Sequence, residues 1–171
     1  RFPGDLKELK IHFDEGIYVG YRYFDKHQIE PFFPFGFGLS YTKFEMSNIR
    51  IDKPNLQGKG TFIVSVDVEN IGDKPGAEVI QIYVSDDECS VDRPPKELQG
   101  FEKVYLQPGE EKTVYITLTE SAFEFYSEKE HIFITETGVF TIWAGSSSRD
   151  LPLYAKINYS KKTEIISRSN E

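Results

Sequence analysis

Residues that bind metals or form disulfides are scarce in this sequence of 171 residues. It has one Cys, one Met and three His. A single Cys excludes a disulfide scaffold, and His12, His27 and His131 lack the spacing of a zinc motif. We therefore predict structural or surface roles for the three histidines, and neither a metal site nor a cofactor.

Long apolar runs and an excess of positive charge are also missing. No run approaches the roughly 20 apolar residues that span a bilayer. The formal net charge is −8, with 28 acidic against 20 basic residues. Because nucleic-acid and anionic-membrane partners need clustered Lys and Arg, we expect neither partner. The first residues show no signal-peptide pattern and begin with Arg instead of Met, which predicts a chain cut from something longer. No compartment follows from this.

Aromatic residues, in contrast, are abundant. The chain has 14 Phe and 10 Tyr, and aromatics make up 15% of its residues. Aromatic rings favour β-strands and bury large areas, so this composition predicts a β-rich fold with extensive packing.

An aromatic arm is predicted over residues 1–41. Its centre, residues 31–39, holds four Phe, two Pro and two Gly. Pro fixes φ and removes a hydrogen-bond donor, while Gly loosens the backbone, so neither a regular helix nor a central strand suits this centre. Four Phe in an irregular segment are costly to expose. We therefore expect an extended arm whose rings are buried against another surface.

Residues 42–160 are predicted to form an all-β sandwich of about seven strands, of the immunoglobulin or fibronectin type III kind. In residues 61–69, Phe62, Val64, Val66 and Val68 alternate with mostly polar residues, which is the period of a half-buried strand. Further strands are predicted at 44–51, 78–84, 101–106, 112–118, 138–145 and 152–159, with a hairpin at 123–135. Residues 161–171 are predicted to be a polar tail.

No residue is predicted to be catalytic. Cys89 lies among acidic residues, which raise a thiol's pKa and disfavour a nucleophile. Glycosidases work with two carboxylates, but the sequence offers no pocket or supporting groups for a particular pair. For Asp25 we expect an ordinary ion pair, for example with Arg22.

Four segments resemble family-3 glycoside hydrolases of the β-glucosidase type. Residues 15–25 (EGIYVGYRYFD) are similar to the segment leaving that family's α/β sandwich domain. Residues 34–44 (PFGFGLSYTKF) are similar to its entry into a fibronectin-III-like domain. Residues 93–104 (RPPKELQGFEKV) and 106–110 (LQPGE) resemble a loop-to-strand signature of that domain.

The resemblance implies a retaining β-glucosidase whose catalytic Asp and Glu lie upstream, on a barrel and on the α/β sandwich domain. Those two domains, with a β-glucoside substrate for the whole enzyme, are then the expected partners. Residues 1–41 would be the linker from the α/β sandwich domain. Six rings are predicted to pack between the domains: Tyr21, Tyr23, Phe32, Phe33, Phe35 and Phe37.

Two alternatives stay open at this point. The chain could be a freestanding module that binds carbohydrate or protein, since some such modules expose a row of aromatic rings. Within the first interpretation, the polar loop at residues 86–95 could reach the rim of the active site.

Overall fold

The computed structural model describes residues 15–161, so the predicted tail beyond Lys161, together with His12, lies outside the described residues. One short helix, α1 (Tyr21–Lys26), comes first, and a 3-10 helix (Glu120–Phe123) lies between the sixth and seventh strands. The strands are β1 (Phe44–Ile51), β2 (Asn55–Gln57), β3 (Thr61–Asn70), β4 (Gly76–Asp86), β5 (Glu97–Leu106), β6 (Glu111–Thr119), β7 (Phe125–Ser127), β8 (Ile132–Ile134), β9 (Gly138–Gly145) and β10 (Leu153–Ser160).

Two sheets make the sandwich. The first has the strand order β1-β3-β6 and the second β2-β10-β9-β4-β5. Neighbouring strands are antiparallel except for the short pair β2 and β10, which is parallel. Strands β7 and β8 form a separate hairpin. Seven strands have eight or more residues, so the predicted all-β sandwich of about seven strands is confirmed.

The core lies between the inner faces of the two sheets, because every second residue of a strand points to the same face. In β3 the four alternating residues from Phe62 to Val68 are buried, as predicted. Val114, Ile116 and Leu118 of β6 are buried beside them. The five-stranded sheet contributes alternate residues as well, because successive side chains of a strand point to opposite faces. Its fully buried inner residues include Ile80, Ile82, Leu106, Phe140, Ile142 and Ile157.

Two local predictions were wrong, and one helix was not predicted. Phe123 was expected to begin a strand but ends the 3-10 helix, and the strand begins at Phe125. Strand β5 begins at Glu97, four residues before the expected start. The arm contains helix α1, which the sequence analysis did not predict, whereas residues 31–39 are irregular as expected.

Candidate docking surface of the aromatic arm

The arm lies on the outer face of the five-stranded sheet. Tyr83 alternates with Ile82 and Val84, which face the core, so its side chain points outward. It is nevertheless fully buried. The ring of Tyr21 from helix α1 meets it edge-on, with centroids 5.8 Å apart, and stacks on Phe35 at 5.0 Å. The arm therefore acts as a third layer over this part of the sheet.

Main-chain hydrogen bonds hold the centre of the arm in place. The Ser148 N–H, in the loop after β9, donates to the Phe35 carbonyl oxygen at 2.8 Å. Gln81 donates through Nε2 to the Gly36 carbonyl at 3.3 Å, and its Oε1 accepts from the Tyr83 hydroxyl at 2.7 Å. Burial raises the pKa of Tyr83 above its usual value, with Tyr21 and Asp25 adding to the effect. Tyr83 therefore stays a hydroxyl donor at neutral pH.

Gly36 is required where the arm meets Gln81. Its φ is +83°, in the region that favours glycine, and an added Cβ would lie 2.3 Å from Gln81 Nε2. We expect Gly36→Ala to destabilise the docked arm by about 1–3 kcal/mol. Hydrogen exchange of the Ser148 amide, which donates to the arm, should become roughly tenfold faster or more.

The matched control is Gly109→Ala in the turn before β6. Gly109 also has a positive φ (+72°), but an added Cβ would meet no atom within 4 Å. It should leave the Ser148 amide unchanged. An unchanged Ser148 amide in Gly36→Ala would contradict the assignment of Gly36 to this contact.

Asp25 joins helix α1 to two loops. Its side chain is 3% exposed and lies 2.6 Å from Lys96 Nζ and 2.9 Å from Arg149 Nε. The contact with Lys96 is a hydrogen bond, and the contact with Arg149 is an ion pair without hydrogen-bond geometry. The expected partner, Arg22, was wrong: it pairs with Glu97 at 3.1 Å.

Arg149 also binds the arm's backbone. Its Nη2 donates to the carbonyl oxygen of Phe24, within α1, at 3.2 Å and to that of Ile29, three residues after α1, at 3.0 Å. The Phe24 carbonyl also accepts from the Ile29 N–H at 2.9 Å, so Arg149 binds both residues of the hydrogen bond that closes the turn after α1. A single side chain from the loop after β9 thus fixes both the acid on α1 and the chain that leaves it.

A second set of contacts joins α1 to the loop at residues 87–96, which connects β4 and β5. Lys26 donates to the Asp92 carboxylate and lies within 5.0 Å of the Tyr18 ring centroid. The hydrogen bond with Asp92 raises the pKa of Lys26, and the same bond lowers the pKa of Asp92. At the other end of the loop, the Leu98 N–H donates to the Tyr21 hydroxyl at 2.9 Å.

Most of the predicted docking rings are open to solvent, although the arm itself is fixed. Phe32 is 100% exposed and Phe33 75% exposed, while Tyr23, Phe35 and Phe37 are about half covered. Of the six predicted rings, only Tyr21 is largely covered by side chains of the sandwich. Four of the six rings, Tyr21, Phe32, Phe33 and Phe35, border a cavity of about 690 Å³ that Asp25 and Arg149 also line. Further exposed apolar residues in the arm were not predicted: Ile17, Val19, Ile29, Leu39 and Tyr41.

The sequence and the fold of this chain match those of known proteins. The model of the fibronectin type III-like domain matches residues 78–148. Thermostable beta-glucosidase B of Acetivibrio thermocellus is 47% identical over 98% of the chain, and the match covers 22% of that protein. The exo-alpha-(1->6)-L-arabinopyranosidase of Bifidobacterium breve is 42% identical over 88% of the chain and 19% of its own length. The structure of beta-glucosidase 3B from Thermotoga neapolitana superposes with a TM-score of 0.83 at 34% identity, covering 92% of this chain and 22% of that one.

This chain belongs with the C-terminal, fibronectin type III-like modules of family-3 glycoside hydrolases. It spans about a fifth of the length of the curated relatives it matches. In those relatives the corresponding stretch is one part of a larger single chain.

The residues that seat the arm on the module were mostly missed by sequence reasoning. Gln81 and Tyr83 belong to the strand predicted at residues 78–84, without a role of their own. Nothing in the sequence around Arg149 indicated a role for it. Asp25 was considered, but with the wrong partner. A polar Gln inside an apolar strand was the one available clue, because buried polar groups in a sheet need partners.

Other candidate groups do not come together in the module. Within residues 15–161, no three His, Cys, Asp or Glu side chains are grouped so as to hold a metal ion. Cys89 is exposed in the 87–96 loop. Over the same residues, no helix is long and apolar enough to cross a membrane.

Proposed function

We propose that this module docks onto the catalytic domains of a retaining β-glucosidase and stabilises them, while contributing no catalytic residue. The observation that best supports this proposal is a contrast within the arm. Asp25, Arg149 and Ser148 hold the arm in place. The rings of Phe32 and Phe33 nevertheless face solvent. A rigid backbone with exposed rings is typical of an interface whose partner lies outside the described residues. Burying one Phe contributes about 1.5–3 kcal/mol.

The relatives support a role away from the reacting sugar. Their names include β-glucosidases and an exo-α-(1→6)-L-arabinopyranosidase, at similar identity to this chain. A module shared between enzymes named for different sugars is better suited to holding domains together than to selecting the sugar. Hydrolysis of terminal β-D-glucosyl residues is therefore proposed for the whole enzyme, with its catalytic carboxylates upstream of this module.

A freestanding carbohydrate-binding function is less well supported. The best aromatic pair on the outer sheet face is Trp143 with Tyr154, but their planes are tilted by 42° and make no flat platform. The Trp143 indole N–H donates to Ser85 Oγ at 2.9 Å. The neighbouring Asp87 carboxylate already accepts from Lys156 at 2.9 Å. Whether the 87–96 loop reaches an active-site rim stays a prediction.

The first test is the denatured mass of the natural polypeptide that carries this sequence. We expect a mass several times the 19.7 kDa of this chain. A natural mass near 19.7 kDa, with no tightly bound second chain, would overturn the proposal and favour the freestanding module.

The second test removes the two most exposed arm rings. We expect Phe32→Ala with Phe33→Ala to lower the free energy of unfolding of the natural polypeptide by about 3–6 kcal/mol, because both rings lose a buried environment. The same pair in the 171-residue chain should have little effect, as measured by urea denaturation. Tyr115→Ala is the control, because this ring lies on the outer face of the other sheet. If the Phe32 and Phe33 changes lower the free energy of unfolding by equally small amounts in the natural polypeptide and in the 171-residue chain, docking through the arm is wrong.

A further inference from the structure

The β7–β8 hairpin carries an exposed apolar cluster far from the arm in sequence. Tyr126 and Phe133 are directly paired across the hairpin and lie edge to face, with centroids 5.4 Å apart. Phe133 is 66% exposed, and Tyr126 is also exposed. Because an isolated two-stranded hairpin is marginally stable in water, something must support this one.

Arg93 of the 87–96 loop supplies that support from behind. Its guanidinium lies 5.4 Å from the ring centroid of Phe125, which is on the hairpin face opposite Tyr126. Its Nη2 donates to the Glu124 carbonyl at 3.1 Å. Charge-assisted bonds to backbone carbonyls fix the base of the hairpin relative to the loop.

A second contact ties the loop to the end of the hairpin. The Ser90 N–H donates to Glu136 Oε2 at 3.1 Å, and the Ser90 hydroxyl donates to Glu136 Oε1 at 2.5 Å. These bonds lower the pKa of Glu136, so the carboxylate stays ionised and the contact persists at neutral pH. The loop is thus bonded to both chain segments at the open end of the hairpin.

The same loop is held on its other side by helix α1. Lys96 binds Asp25, and Asp92 binds Lys26. Helix α1, the 87–96 loop and the β7–β8 hairpin therefore form one connected surface across this end of the sandwich.

We infer that the β7–β8 hairpin is a second docking contact, made by Tyr126 and Phe133 with the part of the same polypeptide that precedes this module. This inference rests on the proposed function. Tyr18, just before helix α1, lies beside Lys26, which binds Asp92 of the 87–96 loop. The relatives extend well beyond the matched stretch, which is their C-terminal part. The arm therefore connects this surface to any domain that precedes it, and an apolar occupant from that part would cover Tyr126 and Phe133.

The test needs no variant at first. Hydrogen exchange is compared between the natural polypeptide and the 171-residue chain. Amides of β7 and β8 should exchange about tenfold slower or more in the natural polypeptide, because docking suppresses local opening of the hairpin. The turn at residues 107–110, at the opposite end of the sandwich, serves as the internal control and should exchange alike in both. Equal exchange of the hairpin in both would overturn the inference.

A matched pair of variants separates this inference from the proposed function. Phe133→Ala and Tyr115→Ala remove rings that are both 66% exposed. Only Phe133→Ala should lower the melting temperature of the natural polypeptide, and neither should change that of the 171-residue chain. If Phe32→Ala with Phe33→Ala destabilises the natural polypeptide and Phe133→Ala does not, the second contact is wrong and arm docking stands. If neither does, both proposals fail.

Discussion

Replacing Phe123 with Ala is expected to lower the free energy of unfolding of the 171-residue chain by about 3–5 kcal/mol, because the change leaves a cavity at the centre of the core. Phe123 is fully buried at the end of the 3-10 helix. Its ring lies parallel to Phe62, with centroids 5.5 Å apart, and 4.4 Å from Phe140. It therefore joins the inner faces of both sheets. Urea denaturation followed by the fluorescence of Trp143, the chain's only Trp, measures the effect.

Phe101→Ala is the control, since it makes the same chemical change at an exposed position of β5. A surface change of this kind typically alters stability by less than about 0.5 kcal/mol. Similar effects of the two variants would mean that Phe123 does not hold the sheets together as its contacts indicate.

Replacing Arg93 with Met is expected to destabilise the chain by about 3–5 kcal/mol, because a buried charge loses its partner. The Arg93 side chain lies 3.3 Å from the Asp86 carboxylate, and both side chains are almost fully buried. Arg93 also donates to the carbonyl oxygens of Phe123 at 3.2 Å and Glu124 at 3.1 Å. Met has similar length but no charge and no donors, so these acceptors are left without partners.

A double-mutant cycle checks the cause. In Arg93→Met with Asp86→Leu, the uncompensated carboxylate is gone, so part of the lost stability should return. Lys112→Met, which removes an exposed ion pair with Glu110, should cost about 1 kcal/mol or less. If the Arg93 and Asp86 changes have strictly additive effects on the free energy of unfolding, the destabilisation does not arise from the pairing of these two side chains.

Strand positions could be predicted because the responsible signal is local. Alternation of apolar and polar residues gave β3 and β6 with the correct inward residues, since the period of a strand is set by its own backbone. The Pro108-Gly109 turn between β5 and β6 follows the same logic, because Gly109 has the positive φ that such a turn uses. Pro and Gly also correctly predicted an irregular centre for the arm.

Pairing of distant residues could not be predicted in this way. The sequence suggested Arg22 as the partner of Asp25 because the two are close in the chain, but Lys96 and Arg149 lie 71 and 124 positions away. Phe123 was assigned to a strand for a similar reason: its neighbours favour strands, and only the space between two sheets explains why a 3-10 helix places it inward.

By itself, the sequence determined the all-β class, most of the strands and the irregular aromatic arm, because each depends on residues within a few positions of one another. Only the tertiary structure decided where the arm lies. Tyr83 looks like a core residue in the sequence, yet its outward side chain is buried by Tyr21 of the arm. Likewise, only the tertiary structure shows that the 87–96 loop contacts both α1 and the β7–β8 hairpin. Ion pairs and ring contacts between remote segments form only after the chain has closed the loops between them, so no local pattern records them.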